Sequence, residues 1–171
     1  MSERGERTLE ADGRSWRAVE AWRAASGLGL VYFLPLEDGE VRGDDREDRR
    51  AALEPGETVA GLEDAALRER LTGGTPLTET ERRFRAPDGR LWLVQSIGPV
   101  WSDGTASGLT GLLFTALEGP PSRARTGGGH AGEATDRELE RRWRRAVEDE
   151  GDGDGEEAAD TPAAAAADAD G

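Results

Sequence analysis

The chain reads as an α+β protein. Two repeated antiparallel β-meanders are joined by one helix, in a sheet able to curl toward a barrel, and a C-terminal helix and a disordered acidic tail follow. Three observations predict this. Asp12-Gly13-Arg14-Ser15-Trp16 recurs as Asp88-Gly89-Arg90-Leu91-Trp92, 76 positions later. Ser26-Gly27-Leu28, Phe33 and Leu36-Glu37 recur in the same order as Ser107-Gly108-Leu109, Phe114 and Leu117-Glu118, 81 positions later. Ordered self-similarity of this kind favours a structural repeat over turn chemistry shared by chance. Between the two copies, one segment carries helix formers on an apolar stripe.

Residues 1–5 are expected to be disordered and 6–120 to form the α+β domain. In its first meander, 7–39, the Asp-Gly pair predicts a two-residue type I′ hairpin, because that turn needs positive φ at both positions. Arg7–Ala11 then pairs with Arg14–Trp22. Trp16, Ala18 and Trp22 alternate with Ser15 and Arg17, predicting one buried and one wet face. Leu28–Leu34 is apolar nearly throughout, as a strand covered on both faces should be.

A return strand over 48–54 and the helix Leu62–Leu71 complete the stretch 48–72. The helix has acids in its first turn, arginines in its last, and Leu62, Ala66, Leu67 and Leu71 on the face meant for the sheet. Gly73-Gly74 is expected to stop it in a left-handed conformation. The second meander, 82–118, pairs Arg82–Ala86 with Arg90–Ile97, with the same type I′ turn expected at Asp88-Gly89, and ends in the apolar run Leu109–Leu117. Residues 121–134, which include Pro121 and Gly127-Gly128-Gly129, read as a flexible linker. Thr135 and Glu138 stand at capping-box spacing and open an arginine-rich amphipathic helix over 135–149. Its narrow stripe holds Leu139, Trp143, Ala146 and Val147. Residues 150–171 lack any aromatic or branched aliphatic side chain and are expected to stay disordered.

The formal charge of −14 is unevenly spread. Ten acids and no base lie from Glu148 onward, which leaves 26 acids against 22 bases before it, a balance of −4. Every base is arginine, as codon bias toward Arg, Ala and Gly would give; a salt-adapted surface is the lesser reading. Cysteine is absent, which excludes disulfides, thiolate zinc sites and cysteine nucleophiles. The N-terminus has no signal-peptide pattern and no apolar run is long enough to span a bilayer, so a soluble, cytoplasmic protein is expected, with no membrane contact.

The chemistry is sparse. His130 is the single histidine, in a glycine-rich stretch, and reads as a surface residue. No Gly-Lys phosphate loop or Gly-x-Ser-x-Gly elbow occurs. Asp12 and Asp88 are repeat-related carboxylates whose turn role accounts for them. Glu150–Gly155 mimics the start of a calcium loop, but its twelfth position is Thr161 rather than a bidentate Glu. Asp44, Asp45 and Asp48, interspersed with arginines, read as a solvated loop. No catalytic, cofactor or metal residue is assigned.

The remaining candidates for a partner or ligand contact are Trp101, Asp103, Trp143, Arg141 and Arg144. Trp101 and Asp103 lie in the connection expanded in the second copy, where binding residues tend to gather. Trp143 either docks on the parent sheet or anchors a partner, and Trp16 and Trp92 read as core. The expected function is a non-catalytic protein-interaction or scaffold module whose partner is another protein. The alternative is a small-ligand or carboxylate-dependent enzyme domain with a pocket at the Trp101 loop. Nucleic acid is disfavoured, since the acidic tail would compete with phosphate for the arginines. That tail could instead fold back over the basic helix and mask it.

Overall fold

The computed structural model describes residues 5–22, 29–42, 45–98, 100–102, 105–107, 111–120 and 122–151, with backbone alone at 22, 100–102, 105–107 and 150–151. The segments expected to be disordered, 1–5 and 150–171, lie outside the described residues except for Gly5 and the last two residues of the C-terminal helix.

Two antiparallel sheets form, one from each copy. The first contains β1 (Glu6–Ala11), β2 (Arg14–Trp22), β3 (Gly29–Glu37), the short β4 (Glu40–Val41) and, after a 3-10 turn at Asp45–Glu47, β5 (Arg49–Ala52), which returns to pair with β3. Helix α1 (Asp64–Thr72) follows. The second sheet has the order β11-β10-β7-β6, from β6 (Glu81–Arg85), β7 (Leu91–Ile97), β10 (Gly111–Ala116) and β11 (Arg123–Gly127), with α2 (Asp136–Gly151) after it. A small hairpin, β8 (Val100–Ser102) and β9 (Thr105–Ser107), sits between β7 and β10 in sequence.

Alternation along the strands dictates four layers. Leu9, Trp16, Ala18, Val31 and Phe33 face outward from the first sheet and are covered by Leu67 and Leu71 of α1. The opposite residues, Val19, Leu30, Tyr32 and Leu34, meet Leu91, Leu93 and Leu117 of the second sheet. Beyond that, Trp92, Val94, Leu112 and Phe114 are covered by Leu139, Trp143 and Ala146 of α2. Both faces of each sheet are therefore apolar, and the sheets stack face to face as open sheets instead of curling toward a barrel. For the same reason β2 is wet on its second face only near its start; Val19 and Ala21 are buried between the sheets.

The repeat is larger than its sequence trace. Phe33 on β3 stands opposite Ala18 and Arg49, while Phe114 on β10 stands opposite Val94 and Ala124. Each unit is thus four main strands plus a helix on the outer face, and the C-terminal helix belongs to the second unit. Residues 121–134, expected as a linker, include β11, which pairs with β10 from Thr115↔Arg123 to Gly111↔Gly127. Only one apolar residue, Ala124, marks this strand, and the flanking glycines hide it.

Two turn expectations are corrected. Asp12 and Gly13 have φ of 52° and 74°, as a type I′ turn needs, but only Gly89 is left-handed in the second hairpin. There Pro87 fixes a negative φ and the turn widens, with Gly89 N–H donating to Ala86 O at 2.9 Å. Gly73 ends α1 with φ −84°, not left-handed. Gly74 is required for proximity: a Cβ there would lie 3.1 Å from the carbonyl oxygens of Arg70 and Leu71 and 3.3 Å from that of Arg50.

Candidate interaction surface

α2 begins where the sequence places it. Thr135 Oγ1 accepts the Glu138 N–H at 3.3 Å, and Asp136 and Glu138 sit in the first turn, where negative charge favours the helix dipole. Arg82 on β6 fixes this end, donating to Ala134 O and to Asp136 Oδ1. Leu139, Trp143 and Ala146 point inward, and Trp143 meets Trp92 edge to face with centroids 5.7 Å apart. Arg142 holds the middle of the helix, donating to the carbonyls of Gly127 at 3.2 Å and Gly128 at 2.6 Å and to Glu138 at 2.8 Å.

The inward stripe leaves an arginine-bearing outer face. Arg141 is 76% exposed and Arg144 57%. Arg144 pairs with Glu140 at 2.9 Å, an i,i+4 pair in the favourable order, and Arg141 reaches Glu138 only at 3.9 Å. Arg137 and Arg145 have no ion-pair partner among the described residues. Arg137, Glu140, Arg141, Arg144, Arg145 and Glu148 line a shallow groove of about 440 Å³. Arg137 and Glu140 also border a cleft of about 610 Å³ that continues along β6 past Arg82, Arg83, Arg85 and Asp45.

Among the sequence-predicted contact residues, Arg141 and Arg144 share this groove. Trp143 lies on the opposite side of the helix, 8% exposed, so docking on the parent sheet is the alternative realised. Trp101 belongs to β8, where the side chain is outside the described residues, as is Asp103. Trp16 and Trp92 are core, each with an arginine over its ring: Arg14 at 5.5 Å and Arg90 at 5.1 Å.

Sequence reasoning missed a charged cluster between the sheets. Asp48, expected in a solvated loop, is fully buried. Its carboxylate accepts from the Tyr32 hydroxyl at 2.8 Å and lies 3.4 Å from Arg83 Nε, whose side chain is only 3% exposed. Asp45 accepts the Arg83 backbone N–H at 3.0 Å, and Arg50 pairs with Glu81 at 3.0 Å nearby. Burial, with the adjacent Asp48 carboxylate second, holds the Tyr32 phenol well above its usual pKa. The available signal was the lone tyrosine inside the apolar run Leu30–Leu34, since a buried hydroxyl needs an acceptor.

Asp88 and Asp12 do what turns require: Asp88 Oδ1 accepts the Arg90 N–H at 2.9 Å, and Asp12 holds a left-handed conformation. His130 is half-buried and its carbonyl accepts the Ala134 N–H at 3.1 Å. Among the described residues no cluster of metal-ligating side chains occurs and no helix is long and apolar enough to cross a membrane, and most of the Glu150–Gly155 pattern lies outside them. No protein-family model, curated protein or solved structure matches the chain.

Proposed function

We propose that this protein is a non-catalytic protein-interaction module that presents the outer face of α2 to an acidic protein segment. The supporting observation is the division of labour on that helix. Its apolar stripe and Arg142 are consumed in docking, while Arg137 and Arg145 carry charge with no acidic partner among the described residues. Guanidinium groups in a groove match carboxylates well, because their fork geometry pairs two oxygens at once.

The test is affinity capture with the full chain and with its Arg137→Glu, Arg145→Glu variant, after nuclease treatment, followed by direct titration of each captured protein. The reading expects a partner whose affinity falls at least tenfold on charge reversal, roughly the loss of one to two strong charge-assisted contacts, while the melting curve is unchanged. Identical binding by both chains, or capture that vanishes with nuclease, would overturn it.

A further inference from the structure

The two copies differ at one strand edge. In the first, Leu53 N–H donates to Gly29 O at 3.0 Å, and this register turns the N–H and C=O of Arg50 away from β3. The segment following α1 meets them: Arg50 and Thr75 exchange two backbone hydrogen bonds, each 2.9 Å. In the second copy, Ala116 N–H donates to Ser122 O at 2.9 Å, which turns Arg125 outward from β11 in the same way. Arg125 is the counterpart of Arg50. Two residues further on, Ala52 O accepts from Arg70 of α1 and Gly127 O accepts from Arg142 of α2. Yet the outward N–H and C=O of Arg125 have no backbone partner among the described residues. Nor does its side chain have an acid, whereas that of Arg50 has Glu81.

We propose that the segment following α2, residues 152–171, occupies the β11 edge, pairing its backbone with Arg125 as Thr75 pairs with Arg50. Charge supports this occupant. Residues 152–171 hold seven acids and no base, and β11 presents Arg123 and Arg125, like charges two residues apart on one side of the strand. Position supports it as well. Val147, about one turn before the end of α2, and Arg123 border one small cavity of about 310 Å³, so the last turn of the helix departs from beside the start of β11. Twenty residues extend to roughly 66 Å, far more than the return to Arg125 needs. Gly153 and Gly155 permit the reversal. The site differs from the outer face of α2 and leaves that face open, so the two readings stand or fall separately.

The experiment is residue-resolved amide hydrogen exchange on the full chain, comparing wild type with a variant carrying Asp→Asn and Glu→Gln at all seven acids of 152–171. In wild type, the Arg125 amide is expected to be protected to within about tenfold of the Arg50 amide, and neutralisation is expected to speed its exchange at least tenfold while Arg50 is unchanged. An Arg125 amide that exchanges freely in wild type overturns the proposal. Protection that survives neutralisation, or that appears only at high protein concentration, also overturns it, the latter pointing to a second copy on the edge.

Discussion

Arg82 reaches from β6 to Asp136, the first residue of α2, with 2.6 Å between Nη2 and Oδ1, and its other terminal nitrogen donates to the Ala134 carbonyl just before the helix. Arg7 on β1 repeats the arrangement: it donates to Asp64, the first residue of α1, and to the Leu62 carbonyl. Each unit therefore pins its helix start to its own first strand. The bond to the carbonyl matters more than the ion pair, because Asp136 is 79% exposed and solvent screens it.

Arg82→Gln is expected to cost about 1–2 kcal/mol, the range for a lost charge-assisted hydrogen bond plus a weak ion pair. Arg7→Gln should cost a similar amount. The two clamps share no partner, so the double variant should show their sum within about 0.5 kcal/mol. Urea denaturation of the three variants checks this; strong non-additivity would mean that the clamps are coupled across the sheets.

How far the sequence disclosed this architecture follows from which features are local. Type I′ chemistry at Asp12-Gly13 and unbroken apolar runs in β3 and β10 are readable from neighbouring residues. Stacking of the two sheets is not, because Val19 and Leu93 meet only in three dimensions. β11 was hidden for a related reason: it is an edge strand with one buried face and glycines at its end, and the same residues describe a linker. Of the interaction surface, the arginines of α2 were legible, whereas the inward orientation of Trp143 required Trp92 opposite it. Asp48 reads as solvated because its neighbours are charged, whereas its acceptor role depends on Tyr32 and Arg83, 16 and 35 positions away.

Trp143→Ala should destabilise by about 3–5 kcal/mol, as truncation of a buried aromatic does. Trp143→Phe should cost under about 2 kcal/mol. It keeps a ring against Trp92 and also removes an indole N–H that is buried without a partner among the described residues. Chemical denaturation measures both. Equal losses would show that the full indole ring, and not an aromatic ring alone, is needed to anchor the helix.

Asp48→Ala leaves the Arg83 guanidinium buried without its counter-charge, and a loss of about 3–5 kcal/mol is expected. Replacing the Tyr32, Asp48 and Arg83 side chains together, with Tyr32→Phe, Asp48→Leu and Arg83→Met, should recover most of that, since an apolar filling incurs no desolvation cost. Thermal unfolding of the single and triple variants decides the matter. A triple variant as unstable as Asp48→Ala would mean that the cluster sets the register of the sheets and does more than satisfy its own charges.

Alkaline pH isolates the Tyr32 contribution. Its phenol is raised in the folded state by burial and by Asp48, whereas in the unfolded chain it should titrate near 10. The stabilisation is fully present below the unfolded value and falls as pH rises from about 10 toward the higher folded value, because the unfolded chain releases the proton first. Tyr32 is the single tyrosine, and lysine and cysteine are absent; the Arg123 guanidinium is lowered from its usual value by burial and by nearby Arg125, and the Tyr32→Phe control retains that contribution. Phenolate absorbance should therefore report Tyr32 alone, rising at higher pH in the folded chain than in urea. Urea midpoints measured at pH 8 and at about pH 11 should diverge for wild type and stay close for Tyr32→Phe. An ordinary phenolate titration near pH 10 in the folded chain would show that Asp48 and the sheet interface do not hold the proton.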